Sequence, residues 1–149
     1  MRGLSIYFLW FFVFCLLFSL LGGMVISLLN PDLAMGLLAV PYLLAMIATL
    51  YVFLKKQRQA PTTQQRLLLS FGYIVIFWLY SAAGIVSTIY YFSRQDAQIW
   101  QEFLANIQNL QFLFFILVVA LAVSLPLFFV TSWFYGPQAQ RMAAQMFKQ

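Results

Sequence analysis

The sequence predicts an all-α membrane protein: four transmembrane helices in two hairpins, with an amphipathic helix on the outer side. Three observations predict it. Of 149 residues, 64% are hydrophobic and 7% are charged, where a soluble domain carries about 25% charged residues. The stretches 3–31, 67–93 and 103–140 contain no charge at all. The basic residues gather between such stretches rather than on a helix face. A water-soluble globule of this size could not bury 17 Phe, 8 Tyr and 4 Trp beside its aliphatic residues. The chain therefore reads as one integral membrane domain over 1–149.

A spanning helix needs about 20 apolar residues, and the charge-free windows place spans near 4–29, 33–54, 67–92 and 110–135. Arg2 ahead of the first span suggests a signal peptide. The apolar run is too long for one, however, and Gly22-Gly23 leads on to more apolar sequence with no polar cleavage region. The first span is expected to be a retained anchor. A lipoprotein signal is excluded because Phe14, not a small residue, precedes Cys15.

Asn30-Pro31-Asp32 is turn chemistry and closes a tight first hairpin. The second span contains Pro41 and ends at Lys55 and Lys56. After Pro61, Thr62 and Gln65 have capping-box spacing, so the third helix is expected to start ahead of the bilayer. Beyond the third span, apolar Ile99, Trp100, Phe103, Leu104 and Ile107 alternate with polar residues at helical spacing. This predicts the amphipathic helix over 96–109. It lacks the Lys and Arg of lipid-seeking helices, so packing on the protein's own outer face or on a neighbouring subunit is expected. The fourth span contains Pro126, and Gly136-Pro137 is expected to break its helix ahead of a tail at 136–149.

Orientation follows from the loops. With both termini inside, Arg2, Lys55, Lys56, Arg58, Arg66, Arg141 and Lys148 fall on the cytoplasmic side, and Arg94 alone falls outside. The positive-inside rule favours that arrangement. The net charge of +5 thus reflects topology and anionic headgroups, not nucleic acid.

Composition also narrows the chemistry. There is no His and a single Cys. An internal disulfide and a thiol relay are excluded, and imidazole-based haem, zinc and general-base chemistry lose their ligands. None of the four predicted spans contains Asp, Glu, Lys, Arg or His beyond its ends. Ionisable residues inside a membrane are the usual marker of proton relays and ion paths. Drug–proton antiport through a membrane carboxylate therefore has no candidate group. No catalytic, cofactor-binding or metal-binding residue is expected, and no enzyme activity.

The polarity that remains is hydroxyl and small-residue pattern. Ser19, Gly23 and Ser27 make a ridge on the first span, suited to close helix packing within the chain or to self-association as a dimer or trimer. Tyr73, Phe77, Tyr80, Gly84, Ser87 and Tyr91 form a stripe on the third span. It reads first as a packing seam and second as a groove for a lipid or apolar solute. Lys55, Lys56, Arg58 and Arg66 cluster in the cytoplasmic loop, as topology signals or contacts to lipid headgroups. Trp10, Trp100 and Trp133 read as interfacial anchors, whereas Trp78 lies deep in the third span with no evident role beyond packing.

Arg2 followed by the aromatic-rich first span, Gly22-Gly23, and the loop from Lys55 to Arg66 with Ala60-Pro61-Thr62 together resemble a family of small four-helix inner-membrane proteins of Gram-negative bacteria. The resemblance covers nearly the whole chain and is one of layout. It implies an inner-membrane location and a part in envelope or outer-membrane homeostasis, and no catalytic residue. The leading expectation is a non-enzymatic, homo-oligomeric inner-membrane protein in contact with membrane lipids. The alternatives are a transporter or channel for lipid or an apolar solute, and an accessory subunit of a larger envelope complex.

Overall fold

The computed structural model describes residues 3–28 and 39–147, with only the backbone given for 25–28. Every regular element in them is a helix: α1 (Ser5–Leu28), α2 (Val40–Gln57), α3 (Thr63–Ser93), α4 (Ala97–Gln108), α5 (Leu110–Trp133), a π-turn (Phe134–Gln138) and α6 (Ala139–Phe147). Three helical stretches are long and apolar enough to cross a membrane: Ser5–Met24, Thr63–Ser93 and Leu110–Phe147. α2 is not among them. Its 18 residues end in Lys55 and Lys56, and its apolar part spans only about 22 Å at 1.5 Å per residue. The expected second span, 33–54, begins in residues outside those described, as does the Asn30-Pro31-Asp32 turn.

α1 and α2 lie antiparallel. Near the start of α1, Tyr7 packs with its ring tilted against Phe53 at 4.8 Å and accepts a 3.1 Å hydrogen bond from Gln57, both near the end of α2. Towards the other end, a Cβ on Gly22 would sit 3.7 Å from Pro41. Pro41 does not interrupt α2. It occupies the first turn, where a missing backbone N–H goes unnoticed. The buried side chains of α2 recur every three or four residues, from Tyr42 through Ala45, Met46, Thr49 and Leu50 to Phe53 and Leu54. α1 answers with Tyr7, Phe11 and Cys15 on one face.

The chain turns from α2 into α3 within five residues. Arg58 adopts the left-handed conformation (φ 54°), and its N–H bonds back to the Leu54 carbonyl. Thr62 then opens α3 with a complete capping box: its Oγ1 accepts from the Gln65 N–H, and Gln65 Oε1 accepts from the Thr62 N–H. At 31 residues, α3 is about 46 Å long, more than the roughly 30 Å hydrocarbon layer requires. Asp96 caps α4, and Asn109 both ends α4 and caps α5.

The tail departs from the sequence expectation. Gly136-Pro137 does not break the helix. The backbone widens into a π-turn there and continues as α6. The wider turn relieves the clash between the proline ring and the preceding turn, and satisfies the neighbouring carbonyls without ending the helix.

Packing is concentrated at one end of the bundle, the end that carries the α2–α3 connector and the tail. There the core joins Tyr7, Phe11 and Cys15 of α1 to the α2 stripe, to Leu69 and Tyr73 of α3, and to Leu127, Tyr135 and Ala139 further along. Beyond Gly84, α3 is almost entirely exposed, and α5 exposes nearly every residue up to Pro126, with Leu110 at 80% and Phe114 at 66%. A helix apolar on all sides is at home in lipid. α1 approaches α3 closely at Gly72, where any Cβ would collide with the Phe8 ring. Gly72→Ala should force that ring aside and lower stability by about 1–3 kcal/mol. A fall in unfolding temperature of the detergent-solubilised protein checks this.

Candidate functional site

At the packed end, four tyrosines from four segments converge: Tyr7 of α1, Tyr42 of α2, Tyr73 of α3 and Tyr135 of the π-turn, all essentially without exposure. Phe11 lies between Tyr42 and Tyr73. It stacks on Tyr73 at 4.1 Å, nearly parallel, and meets Tyr42 edge-on at 5.4 Å. Tyr73 in turn meets Tyr135 edge-on at 5.6 Å, and Tyr42 meets Phe77 at 5.5 Å. Such ring pairs each contribute about 0.5–1.5 kcal/mol beyond the area they bury.

The hydroxyls form an ordered chain. Tyr135 donates to the Met46 carbonyl at 3.0 Å. It has a single proton, so in its 3.0 Å contact with Tyr73 it accepts and Tyr73 donates. The direction Tyr73→Tyr135→Met46 is thereby set, and it ties α3 and the π-turn to the backbone of α2. A second link joins Tyr42 to Thr131 at 2.8 Å, and Thr49 returns its hydroxyl to the Ala45 carbonyl at 2.7 Å. Chemically this is a hydrogen-bond network in which the hydroxyl oxygens of Tyr42, Thr49, Tyr73, Thr131 and Tyr135 each have a partner. Among the described residues no three of His, Cys, Asp and Glu gather as a metal site would need.

The sequence-predicted stripe on α3 divides in two. Tyr73 is a core residue, and Phe77 packs half-buried against Tyr42 and Trp78. Tyr80 meets Phe12 at 6.5 Å. Gly84 faces open space, so it is not the close-packing point of a helix seam, and Ser87 and Tyr91 are exposed. Where α1 and α3 part, Phe12, Leu16, Leu79, Tyr80, Gly84 and Ser87 line an open apolar groove of about 500 Å³. Close packing along the stripe extends as far as Phe77, and an open apolar groove lies beyond it.

Of the ridge on α1, only Gly23 is seen to stand open among the described residues. Gly23 has open space at its Cβ position, and it is Gly22 that faces α2. Ser19 is half-buried, and the side chain of Ser27 lies outside those described. In the basic cluster, Lys55, Lys56 and Arg58 are exposed, whereas Arg66 is half-buried against Gly136. α4 has no buried residue. Ile99, Trp100 and Phe103 are half-covered, and Leu104 and Ile107 are open. α4 is thus covered only in part by the described residues of its own chain.

Sequence reasoning missed Tyr7, Tyr42, Thr131 and Tyr135. It also missed the role of Trp78, whose indole N–H donates to Ser124 of α5 at 2.8 Å. A signal existed only for Tyr135, which stands beside Gly136-Pro137. Comparison with protein-family models, with curated proteins and with solved structures finds no match.

The donor order yields a ranking. Tyr135→Phe strands the Tyr73 proton and also removes the second donor to the Met46 carbonyl, which keeps its bond within the helix. Tyr73→Phe removes one donor and leaves Tyr135 bonded to Met46. Both should lower stability, Tyr135→Phe by about 1–3 kcal/mol and Tyr73→Phe by about half as much. Unfolding temperatures in one detergent, compared side by side, test the order.

Proposed function

We propose that this chain is a non-enzymatic protein of the bacterial inner membrane. It crosses the bilayer four times in two hairpins, with both termini and the α2–α3 connector in the cytoplasm and α4 in the periplasm. It self-associates as a dimer or trimer and supports cell-envelope homeostasis. The observation that carries this reading is the uncovered apolar face of α4, Leu104 and Ile107 with half-covered Ile99, Trp100 and Phe103.

The opposite face of α4 is rich in Gln and Asn, its one charged residue is Glu102, and Arg94 and Asp96 precede its start. An interfacial helix that sought anionic lipid would carry Lys and Arg instead. A second copy of the chain suits the face better than a leaflet does. The open position at Gly23 on α1 supports the same reading, since small residues let helices from two subunits approach. The hydrogen-bonded tyrosine network, which ties α2, α3 and the π-turn together, supports a structural interior.

The α1–α3 groove favours a second reading, in which an acyl chain or apolar solute enters sideways from the bilayer on a transport route. Docking on a larger envelope complex through α4 is the third.

Crosslinking in native membranes should capture dimers or trimers. Leu104→Gln and Gly23→Leu should each reduce their yield several-fold with the unfolding temperature unchanged, because both positions stand open among the described residues. A strictly monomeric protein contradicts the reading, and crosslinks to a different protein favour the accessory role. Lipid scrambling in reconstituted vesicles that is lost in Gly84→Leu favours the groove.

A further inference from the structure

Arg66 stands in the first turn of α3, where its backbone N–H bonds to the Thr62 carbonyl. Its guanidinium lies across the π-turn. A Cβ on Gly136 would come within 2.5 Å of Nη1 and 3.4 Å of Cδ, so only glycine leaves it room. Nε is buried and has no hydrogen-bond partner. One turn further along, the wholly buried Ser70 has an Oγ that is also unpartnered. Arg66, Ser70 and Tyr73 share one face of α3. Tyr73 reaches Tyr135, and Arg66 reaches Gly136, so Ser70 lies between these two contacts along one seam.

A guanidinium is permanently charged, and holding it half-buried without an anion is costly. The described chain supplies no carboxylate here. Asp96 and Glu102 lie past the opposite end of α3, whose Arg66–Ser93 stretch alone spans about 40 Å at 1.5 Å per residue. The surroundings are positive instead, with Lys55, Lys56, Arg58 and Arg141 exposed at this end. The next two residues of α3, Leu67 and Leu68, are open apolar side chains, 45% and 43% exposed. A cation at the foot of a lipid-facing apolar surface is at headgroup level.

We propose that Arg66 holds the phosphate of an anionic phospholipid of the inner leaflet. The fork of the guanidinium binds the phosphate oxygens, Gly136 keeps the space the fork needs, and Lys55, Lys56 and Arg58 supply the surrounding positive field. The acyl chains run along Leu67 and Leu68. This site rests on the membrane-spanning reading above and is separate from the self-association surface.

Native mass spectrometry of the full chain in detergent, titrated with phosphatidylglycerol or phosphatidylcholine, tests it. The wild type should bind phosphatidylglycerol preferentially. Arg66→Gln should weaken that binding about tenfold. Gly136→Ala should weaken it by a similar factor while leaving every charge in place, because the added Cβ displaces the guanidinium. Arg66→Lys, which keeps the charge and loses the fork, should fall between. Equal affinity for both lipids, or Arg66→Gln binding phosphatidylglycerol like the wild type, overturns the proposal. Inorganic phosphate competing at the same concentration as the lipid overturns it in favour of a free anion. Unfolding temperatures show which variants are folded. Release of the protein from membranes by carbonate would instead mark failure of the spanning reading, independently of Arg66.

Discussion

A hydroxyl inside hydrocarbon has no water to turn to, and the architecture follows from where this chain places its own partners. Tyr135 occupies the pivotal position. It accepts from α3 through Tyr73 and donates to the α2 backbone at Met46. It can do both because it sits on the π-turn, where Gly136-Pro137 widens the helix and turns the ring inward. The same turn opens the gap that admits Arg66. One local irregularity thus sets the aromatic core and the placement of the cation at its edge.

Between apolar helices in lipid there is little hydrophobic drive to associate, and cohesion comes from close contact and hydrogen bonds. The distribution of such contacts explains the uneven packing. Rings, hydroxyls and the Gly72–Phe8 approach all cluster at the connector end. Towards the other end the helices have few cross-links after Trp78 and Ser124. The far halves of α3 and α5 are therefore held mainly by helix continuity and by what surrounds them. This division into a fixed end and an open one is what leaves the groove, the Gly23 face and the apolar stripe of α4 available to lipid or to another subunit. Segments with few buried contacts are also those that open most readily.

Much of the helical layout was legible in the sequence, because it depends on local signals. Charge-free windows locate α1, α3 and α5, the Thr62–Gln65 pair caps α3, and the periodicity of 96–109 matches α4 closely. The core was not legible. The stripe from Tyr73 to Tyr91 is regular in α3, but its fate depends on which helices face it. Phe11, Tyr42 and Tyr135 meet only its first members, and nothing in the spacing marks Gly84 as the point where packing has ended. Gly136-Pro137 carries a breaker signal that is sound in a loop. Within an apolar helix the same pair is absorbed by widening one turn, since lipid offers no alternative partners for a backbone that comes apart. The Trp78–Ser124 bond joins positions far apart in sequence, and no periodicity connects them.

The central claim is that these helices cross the bilayer with the connector between α2 and α3 on the cytoplasmic side, so that the tyrosine core sits in the inner leaflet. Paired reporter fusions, one active only in the cytoplasm and one only in the periplasm, placed after Ala60 and after Gln95, test it most directly. The account predicts a cytoplasmic signal after Ala60 and a periplasmic one after Gln95. A periplasmic signal after Ala60, or the same compartment at both sites, would contradict it.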